Sequence, residues 1–203
     1  MLFRSLQWAC QLSQDPQTLT QALDAAQHAV ALNDLLPAAH AALGTVYLSQ
    51  KQYDQAVSEM ERTIALDPNG AGGYTGLAVT LGWMGKSEEA LQMIEQALRR
   101  KPLVKDENLA DIGAAYALAG RPEEAIAPLQ QFLSRYPNIL GAHLALATIY
   151  SELGKEAEAQ TEATEVLRLN PNFSLEVMRQ RSVFKDPARV ERPIVALRQA
   201  GLK

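Results

Sequence analysis

The sequence has very little of what disulfide-bonded, metal-binding or membrane-spanning proteins need. Its 203 residues include one cysteine, Cys10, which excludes an intramolecular disulfide framework and a cysteine-rich zinc site. The three histidines, His28, His40 and His143, lack the short spacings of metal ligands, so we expect no metal and no cofactor. The longest stretch without charge, residues 68–85, is interrupted by glycines, which predicts no membrane insertion.

The charged residues argue against two further classes of protein. The formal net charge is −4, so the positive surplus that nucleic-acid-binding proteins use is absent. Glu88–Glu89 and Glu123–Glu124 stand at the start of second helices at matching places, where their negative charge interacts favourably with the helix dipole. We therefore interpret them as solvated helix caps and not as acid/base pairs. No motif pairs a nucleophile with a base, so we predict no catalytic residue and no enzyme. The polar start of the chain is unlike a signal peptide, which predicts a cytoplasmic protein.

The sequence is rich in alanine, and it repeats. Alanine supplies 32 residues against two Trp, six Tyr and four Phe, a mixture that favours closely packed helices over a β-sandwich. The repeat has a period of 34 to 35 residues. Three classes of residue recur with it, namely alanines (Ala22, Ala56, Ala90, Ala125, Ala159), prolines (Pro68, Pro102, Pro137, Pro171) and small residues (Cys10, Gly44, Ala78, Gly113, Ala147).

Each period predicts two amphipathic helices. In residues 38–50 and 52–66, apolar side chains recur three and four places apart, and Pro68 then prevents the second helix from continuing. Small residues such as Gly44 and Ala56 are expected where the two helices cross, because a larger side chain would push the axes apart. His40, His143 and Cys10 are interpreted as packing residues. The turn between the helices is marked by Gly85, Gly120 and Gly154, and by Lys51 in one unit.

These units resemble tetratricopeptide repeats. AALGTVYLSQKQYDQAVSEMERTIALDP and TGLAVTLGWMGKSEEALQMIEQALRRKP carry the pattern clearly. The resemblance implies an all-α fold, a right-handed superhelical solenoid of antiparallel helix pairs whose first helices line a concave groove. We therefore divide the chain into a degenerate repeat (3–36), four repeats (37–70, 71–105, 106–139 and 140–173), and a capping helix with a terminal helix (174–203).

The groove that the resemblance implies is small, apolar and almost uncharged, which suits an amphipathic helix or an apolar peptide of a protein partner. Trp83 has the character of a binding hot spot; the alternative is that it packs against its own neighbouring repeat. The chain's own terminus or a second copy could equally fill the groove. The partner-binding residues are predicted to be Thr45, Leu48, Ser49, Thr75, Val79, Trp83, Glu107, Ala114, Leu118, Leu144, Thr148 and Glu152.

The last 30 residues leave the period and change the charge. Residues 174–203 carry seven Lys/Arg and three Asp/Glu, while the rest of the chain is acidic. They predict a terminal helix that folds back on the array, or one that docks on an acidic partner domain. Asp186–Pro187 is a predicted helix start, Pro193 is expected to kink or delay the helix, and Gly201 is a predicted stop.

This segment also resembles the C-terminal end of tetratricopeptide tails on bacterial class III adenylate/guanylate cyclases, although no cyclase catalytic segment is present. Three hypotheses follow. The chain is a non-catalytic scaffold that binds a partner helix or peptide in its groove, within a bacterial signalling protein. Alternatively it is a regulatory or oligomerisation tail of a nucleotide cyclase or transcriptional regulator. Self-association through the groove or the end helices is the third.

Overall fold

The computed structural model describes residue 15, residues 17–100 and residues 106–203. The regular structure of these ranges is entirely helical. It comprises α1 (Thr18–Leu32), α2 (Pro37–Ser49), α3 (Tyr53–Leu66), α4 (Ala71–Trp83), α5 (Ser87–Arg100), α6 (Asp106–Leu118), α7 (Pro122–Arg135), α8 (Leu140–Glu152), α9 (Glu156–Leu169), α10 (Leu175–Arg181), a 3-10 turn (Pro187–Val190) and α11 (Glu191–Gln199). The predicted first helix of the degenerate unit, with Cys10, and residues 101–105, with Pro102, lie outside the described residues.

The helices stack as hairpins in chain order. The pairs α2–α3, α4–α5, α6–α7 and α8–α9 are each joined by a short turn and packed against each other. Each later hairpin uses its first helix to contact both helices of the hairpin before it, and α1 packs on α2. The array of helix pairs that the period predicts is confirmed.

The turn inside each hairpin requires a residue with positive φ. Gly85, Gly120 and Gly154 have φ of 84°, 80° and 70°, and Lys51 has φ 62°. In the second hairpin the Lys86 amide donates to the Leu81 carbonyl, and the same six-residue bond closes the other three turns. This bond satisfies a carbonyl that the helix end would leave without a partner. Lys51 is thus the one turn residue of the four that holds a side chain in the strained left-handed region.

Replacing Lys51 by glycine is expected to stabilise the protein by about 0.5–1 kcal/mol, because relief of left-handed strain outweighs the added freedom of the unfolded chain. The reverse change, Gly120→Ala, should cost a similar amount. A Cβ at Gly120 meets no atom within 4 Å, so only the backbone is affected. Urea unfolding of both variants measures the two changes, and a loss of stability in Lys51→Gly would contradict this account of the turn.

Small residues stand where the helices of a hairpin cross. Ala56, Ala90 and Ala125 are fully buried in the second helices. A Cβ on Gly44 would lie 3.2 Å from the Ala56 carbonyl oxygen, and one on Gly113 would lie 3.1 Å from that of Ala125. The predicted role of these small residues is therefore confirmed.

Two buried histidines link the two helices of the first and of the last of the four hairpins. His40 Nδ1 lies 2.6 Å from the Glu59 carboxylate, and its Nε2 donates to the carbonyl of Asp34 over 2.8 Å. His143 repeats this arrangement with Glu162 at 2.5 Å and the carbonyl of Pro137 at 2.9 Å. Their interpretation as packing residues is confirmed. A carbonyl oxygen only accepts, so each Nε2 carries a proton.

The stability of the last hairpin is expected to fall as the pH rises above neutrality. Burial alone would lower the pKa of His143, but the hydrogen bonds that its ring donates to Glu162 and to the Pro137 carbonyl, with the negative charges of Glu162 and Glu165, outweigh burial and raise that pKa above its usual value. A raised folded-state pKa gives stability that is complete below the unfolded-state pKa, about 6.5, and is lost as the pH rises through the folded value.

The chain itself supplies a control without a titrating pair. In the second hairpin, Tyr74 and Met93 occupy the places of His143 and Glu162, and the Tyr74 hydroxyl donates to the carbonyl of Pro68. The variant His143→Tyr/Glu162→Met should therefore show a flatter dependence of unfolding free energy on pH, from about 6 to about 9, than the wild type. Parallel profiles for the two proteins would contradict the protonated pair.

The C-terminal segment folds back on the array. The Asp186 carboxylate accepts from the Ala188 amide and caps the 3-10 turn, as predicted. The α-helix begins at Glu191, two residues before Pro193, so the proline lies in the first turn, where its missing N–H leaves no helix bond unmade. Gly201 ends α11 with φ 102° and turns Leu202 into the core. α11 packs on α8, so of the two interpretations of this segment the fold-back is observed.

Candidate functional site

The first helices of the four hairpins form one continuous surface, which we call the first-helix face. α2 contacts α4, α4 contacts α6, and α6 contacts α8 along the array. The twelve predicted partner-binding residues lie on these four helices. The side chain of Glu107 lies outside the described residues.

Three hydroxyl groups on the first-helix face are satisfied within their own helices. Thr45 donates to the Ala41 carbonyl over 2.9 Å, Ser49 donates to the Thr45 carbonyl over 3.0 Å, and Thr148 donates to the Leu144 carbonyl over 2.8 Å. A side chain whose hydroxyl donates to a carbonyl of its own helix has no free donor, so it presents its methyl or methylene group to a partner. The surface near Val79 is therefore apolar in chemistry even where its residues are polar, whereas the predicted residues Leu48 and Thr75 are themselves buried.

Each first helix ends in one of the predicted residues, and the C-terminal segment runs past these ends. The Tyr53 hydroxyl, just beyond the end of α2, donates to the Val183 carbonyl over 3.3 Å. At the end of α4, the Trp83 ring meets the Phe184 ring edge-on with 4.5 Å between centroids. The Trp83 carbonyl accepts from the Lys185 amide over 3.1 Å. Trp83 thus meets the chain's own terminus, one of the occupants considered from the sequence.

The third and fourth first helices meet arginines of the same segment. Arg189 donates to the carbonyl of Leu118, the last residue of α6, over 2.9 Å, and to the carbonyl of Gly82 over 3.1 Å. Arg192 pairs with Glu152 at the end of α8 over 2.7 Å. The C-terminal segment therefore meets each of the four hairpins through at least one contact.

Sequence models of known families decide what kind of array this is. Four models, each described as a tetratricopeptide repeat, match residues 19–71, 47–114, 111–138 and 140–173. The chain belongs to the tetratricopeptide repeat family. Its helical-repeat superhelix is the fold expected from the resemblance, while the cyclase-type resemblance of the C-terminal segment stays a prediction.

Solved tetratricopeptide repeat structures share the fold. A thermophilic example, TTC0263 of Thermus thermophilus, is similar with 24% identity and a TM-score of 0.63, covering 89% of this chain and 97% of that one. PilW, described as a widely conserved type IV pilus biogenesis factor, shows 17% identity and a TM-score of 0.60, covering 98% and 90%. PilF of Pseudomonas aeruginosa shows 22% identity and a TM-score of 0.57, covering 82% and 77%. Comparison with curated proteins finds no match.

One acidic residue within these tetratricopeptide repeats was not singled out from the sequence. Asp111 of α6 accepts a hydrogen bond from Thr75 of α4 over 3.4 Å, and Thr75 is fully buried. Removal of water from the carboxylate raises the pKa of Asp111 to about 6, against the smaller lowering effect of that hydrogen bond. The repeat pattern could not indicate it, because the matching places hold Ala42, Gly76 and Ala145.

Metal-binding and membrane-spanning features are both missing from the described ranges. No three His, Cys, Asp or Glu side chains of those residues are grouped so that they could hold a metal ion. Within the same part of the chain, none of the helices combines the length and the apolar character that crossing a membrane demands. What the site presents is an apolar surface with a row of helix ends.

Proposed function

We propose that this tetratricopeptide repeat protein is a non-catalytic interaction module that holds a partner helix or extended apolar peptide on its first-helix face. The observation that carries the proposal is the chemistry of that face, where three hydroxyls bond within their own helices and apolar residues such as Val79 lie between them. Such a surface gains affinity by burying apolar area, about 25 cal/mol per Å². Trp83 supplies an aromatic anchor beside it.

Charged substitutions on the face test this function. The full-length variant Thr45→Glu/Val79→Glu places two carboxylates among half-buried positions of α2 and α4. Capture of partner proteins from a lysate of the source cells should fall at least tenfold, since about 1.4 kcal/mol is enough for that loss. The matched variant Ser58→Glu/Ala65→Glu changes exposed residues of α3 and should capture as the wild type does. Equal capture by all three proteins would contradict the proposal.

We further propose that the module acts within a bacterial signalling protein, on the resemblance of residues 174–203 to cyclase tails. An immunoblot of source-cell lysate with an antibody against this chain is the direct test. A band far larger than 22.2 kDa would support a regulatory tail on a larger protein. A band at 22.2 kDa would count against it and favour a free-standing adaptor.

A further inference from the structure

Residues 182–189, which we call the tail segment, occupy a built site at the edge of the first-helix face. Two side chains anchor the segment, one backbone bond aligns it, and its Val183 carbonyl accepts from the Tyr53 hydroxyl. The Phe184 ring contacts the Trp83 ring, the Arg189 guanidinium reaches the carbonyls of Gly82 and Leu118, and the Lys185 amide donates to the Trp83 carbonyl. The Arg189 guanidinium also lies 5.4 Å from the centroid of the Phe184 ring, so the two anchors support each other.

The position of Arg189 favours a cation because two helices of the array end there. α4 and α6 both end beside it, and a helix C-terminus carries partial negative charge together with carbonyls that lack partners in the helix. One planar guanidinium can donate to two such carbonyls at once, which an ammonium group does less well. The turn residue Gly85 leaves space for the Arg189 guanidinium, because a Cβ at Gly85 would lie 3.0 Å from it.

The tail segment is held less firmly than the helix that follows it. Its residues are half-buried or exposed, whereas Ile194 and Leu197 of α11 are fully buried and Leu202 is 1% exposed. Leu175 at the start of α10 is buried as well, and its amide donates to the carbonyl of Lys203. The segment can therefore leave its site as a loop between two fixed ends, while the cap on the last hairpin stays in place.

We propose that the tail segment is an internal stand-in for the partner, that is, an intramolecular competitor that occupies the partner's binding site. It occupies a site that takes a peptide with an aromatic residue for Trp83 and, five residues later within a 3-10 turn, an arginine for the carbonyls of Gly82 and Leu118. A partner of that chemistry competes with the segment for the site. In the free protein the segment therefore blocks this binding site. This inference rests on the proposed function and adds the recognised pattern and its regulation.

The test uses the full-length chain with its tail segment released. In Phe184→Ala/Arg189→Ala both anchors are lost while α11 keeps its buried residues. The matched control Val195→Ala/Arg198→Ala changes exposed residues of α11. The probe is a fluorescent peptide with the sequence SVFKDPARVE, residues 182–191, and a second peptide carries alanine at both anchor positions. Fluorescence anisotropy measures the dissociation constants, and circular dichroism confirms that the variants stay helical.

The released variant should bind the native peptide at least tenfold more tightly than the wild type and the matched control do, because a tethered segment competes at an effective concentration of about a millimolar. Trp83→Ala added to the released variant should weaken binding at least tenfold, and the double-alanine peptide should bind none of the proteins. Equal binding of the native peptide to wild type and released variant would overturn the competition. No binding to the released variant, or equal binding of the two peptides, would overturn the recognised pattern.

Failure of this inference is distinguishable from failure of the proposed function. If Thr45→Glu/Val79→Glu loses its partner while the peptide binds nothing, the first-helix face binds partners and the tail segment does not imitate them. If the peptide binds the released variant while partner capture ignores those two substitutions, the segment is only an internal contact, and its role as a stand-in is overturned.

Discussion

Replacing Leu197 by alanine is expected to cost about 3 kcal/mol of unfolding free energy, within the range of about 2–5 kcal/mol typical of buried leucines. Leu197 and Ile194 are fully buried in one cluster with Leu146, Ile149 and Val166 of the last hairpin. The end of a repeat array exposes apolar surface that the next repeat would otherwise cover, and α11 covers it here. The truncated side chain leaves a cavity at that junction.

Chemical denaturation of Leu197→Ala beside Val195→Ala checks this prediction. Val195 lies two residues away in the same helix and is 47% exposed, so its loss should change stability by no more than about 0.5 kcal/mol. If Leu197→Ala lost less than about 1 kcal/mol, α11 would not be the cap that its buried residues indicate.

Gly113→Ala is expected to destabilise the protein by about 1–3 kcal/mol, although alanine is the better helix former by about 1 kcal/mol. The new Cβ would lie 2.5 Å from Leu129 Cγ and 3.1 Å from the Ala125 carbonyl oxygen. Neither atom can move away freely, because Leu129 is 1% exposed and the carbonyl belongs to helix backbone. The axes of α6 and α7 must separate or the leucine must leave its rotamer.

The fourth repeat suggests the compensating change. It carries Ala147 and Ala163 at the places of Gly113 and Leu129, and both alanines are buried in the same cluster. Leu129→Ala alone should cost about 2–5 kcal/mol through its cavity. The double variant Gly113→Ala/Leu129→Ala should cost less than the sum of the single changes by at least about 1 kcal/mol, since the two sites are in contact. Strictly additive losses in a denaturation cycle would show that the two residues do not share this space.

The sequence predicted those features that recur with the period. Turn residues, crossing residues and the helix pairs could be read because the same physical requirement is met four times at matching places. The partners of the buried histidines recur as well, at a fixed spacing. Glu59 follows His40 by 19 residues, as Glu162 follows His143.

Features that occur once could not be read in this way. The path of the tail segment depends on contacts between residues far apart, such as Tyr53 and Val183, which are 130 residues apart in the chain. A single contact of this kind leaves no periodic trace in composition or spacing. Asp111 was missed for the same reason, because the other repeats have small apolar residues at its place. The partner-binding residues of the groove stay predictions.

The pairing of crossing residues inside each hairpin has a consequence for how such arrays can be rearranged. Gly44 meets Met60 and Gly113 meets Leu129 within one repeat, whereas in the fourth repeat both places hold alanine. The second hairpin has a different pair, Ala78 with Ile94 in one buried cluster, so a junction placed inside a hairpin would separate residues that are fitted to each other. Close contacts also cross between hairpins, because a Cβ on Gly82 would lie 2.8 Å from Leu118 Cβ. A helix pair of this protein can therefore be exchanged only together with the surface of the neighbour that it packs on.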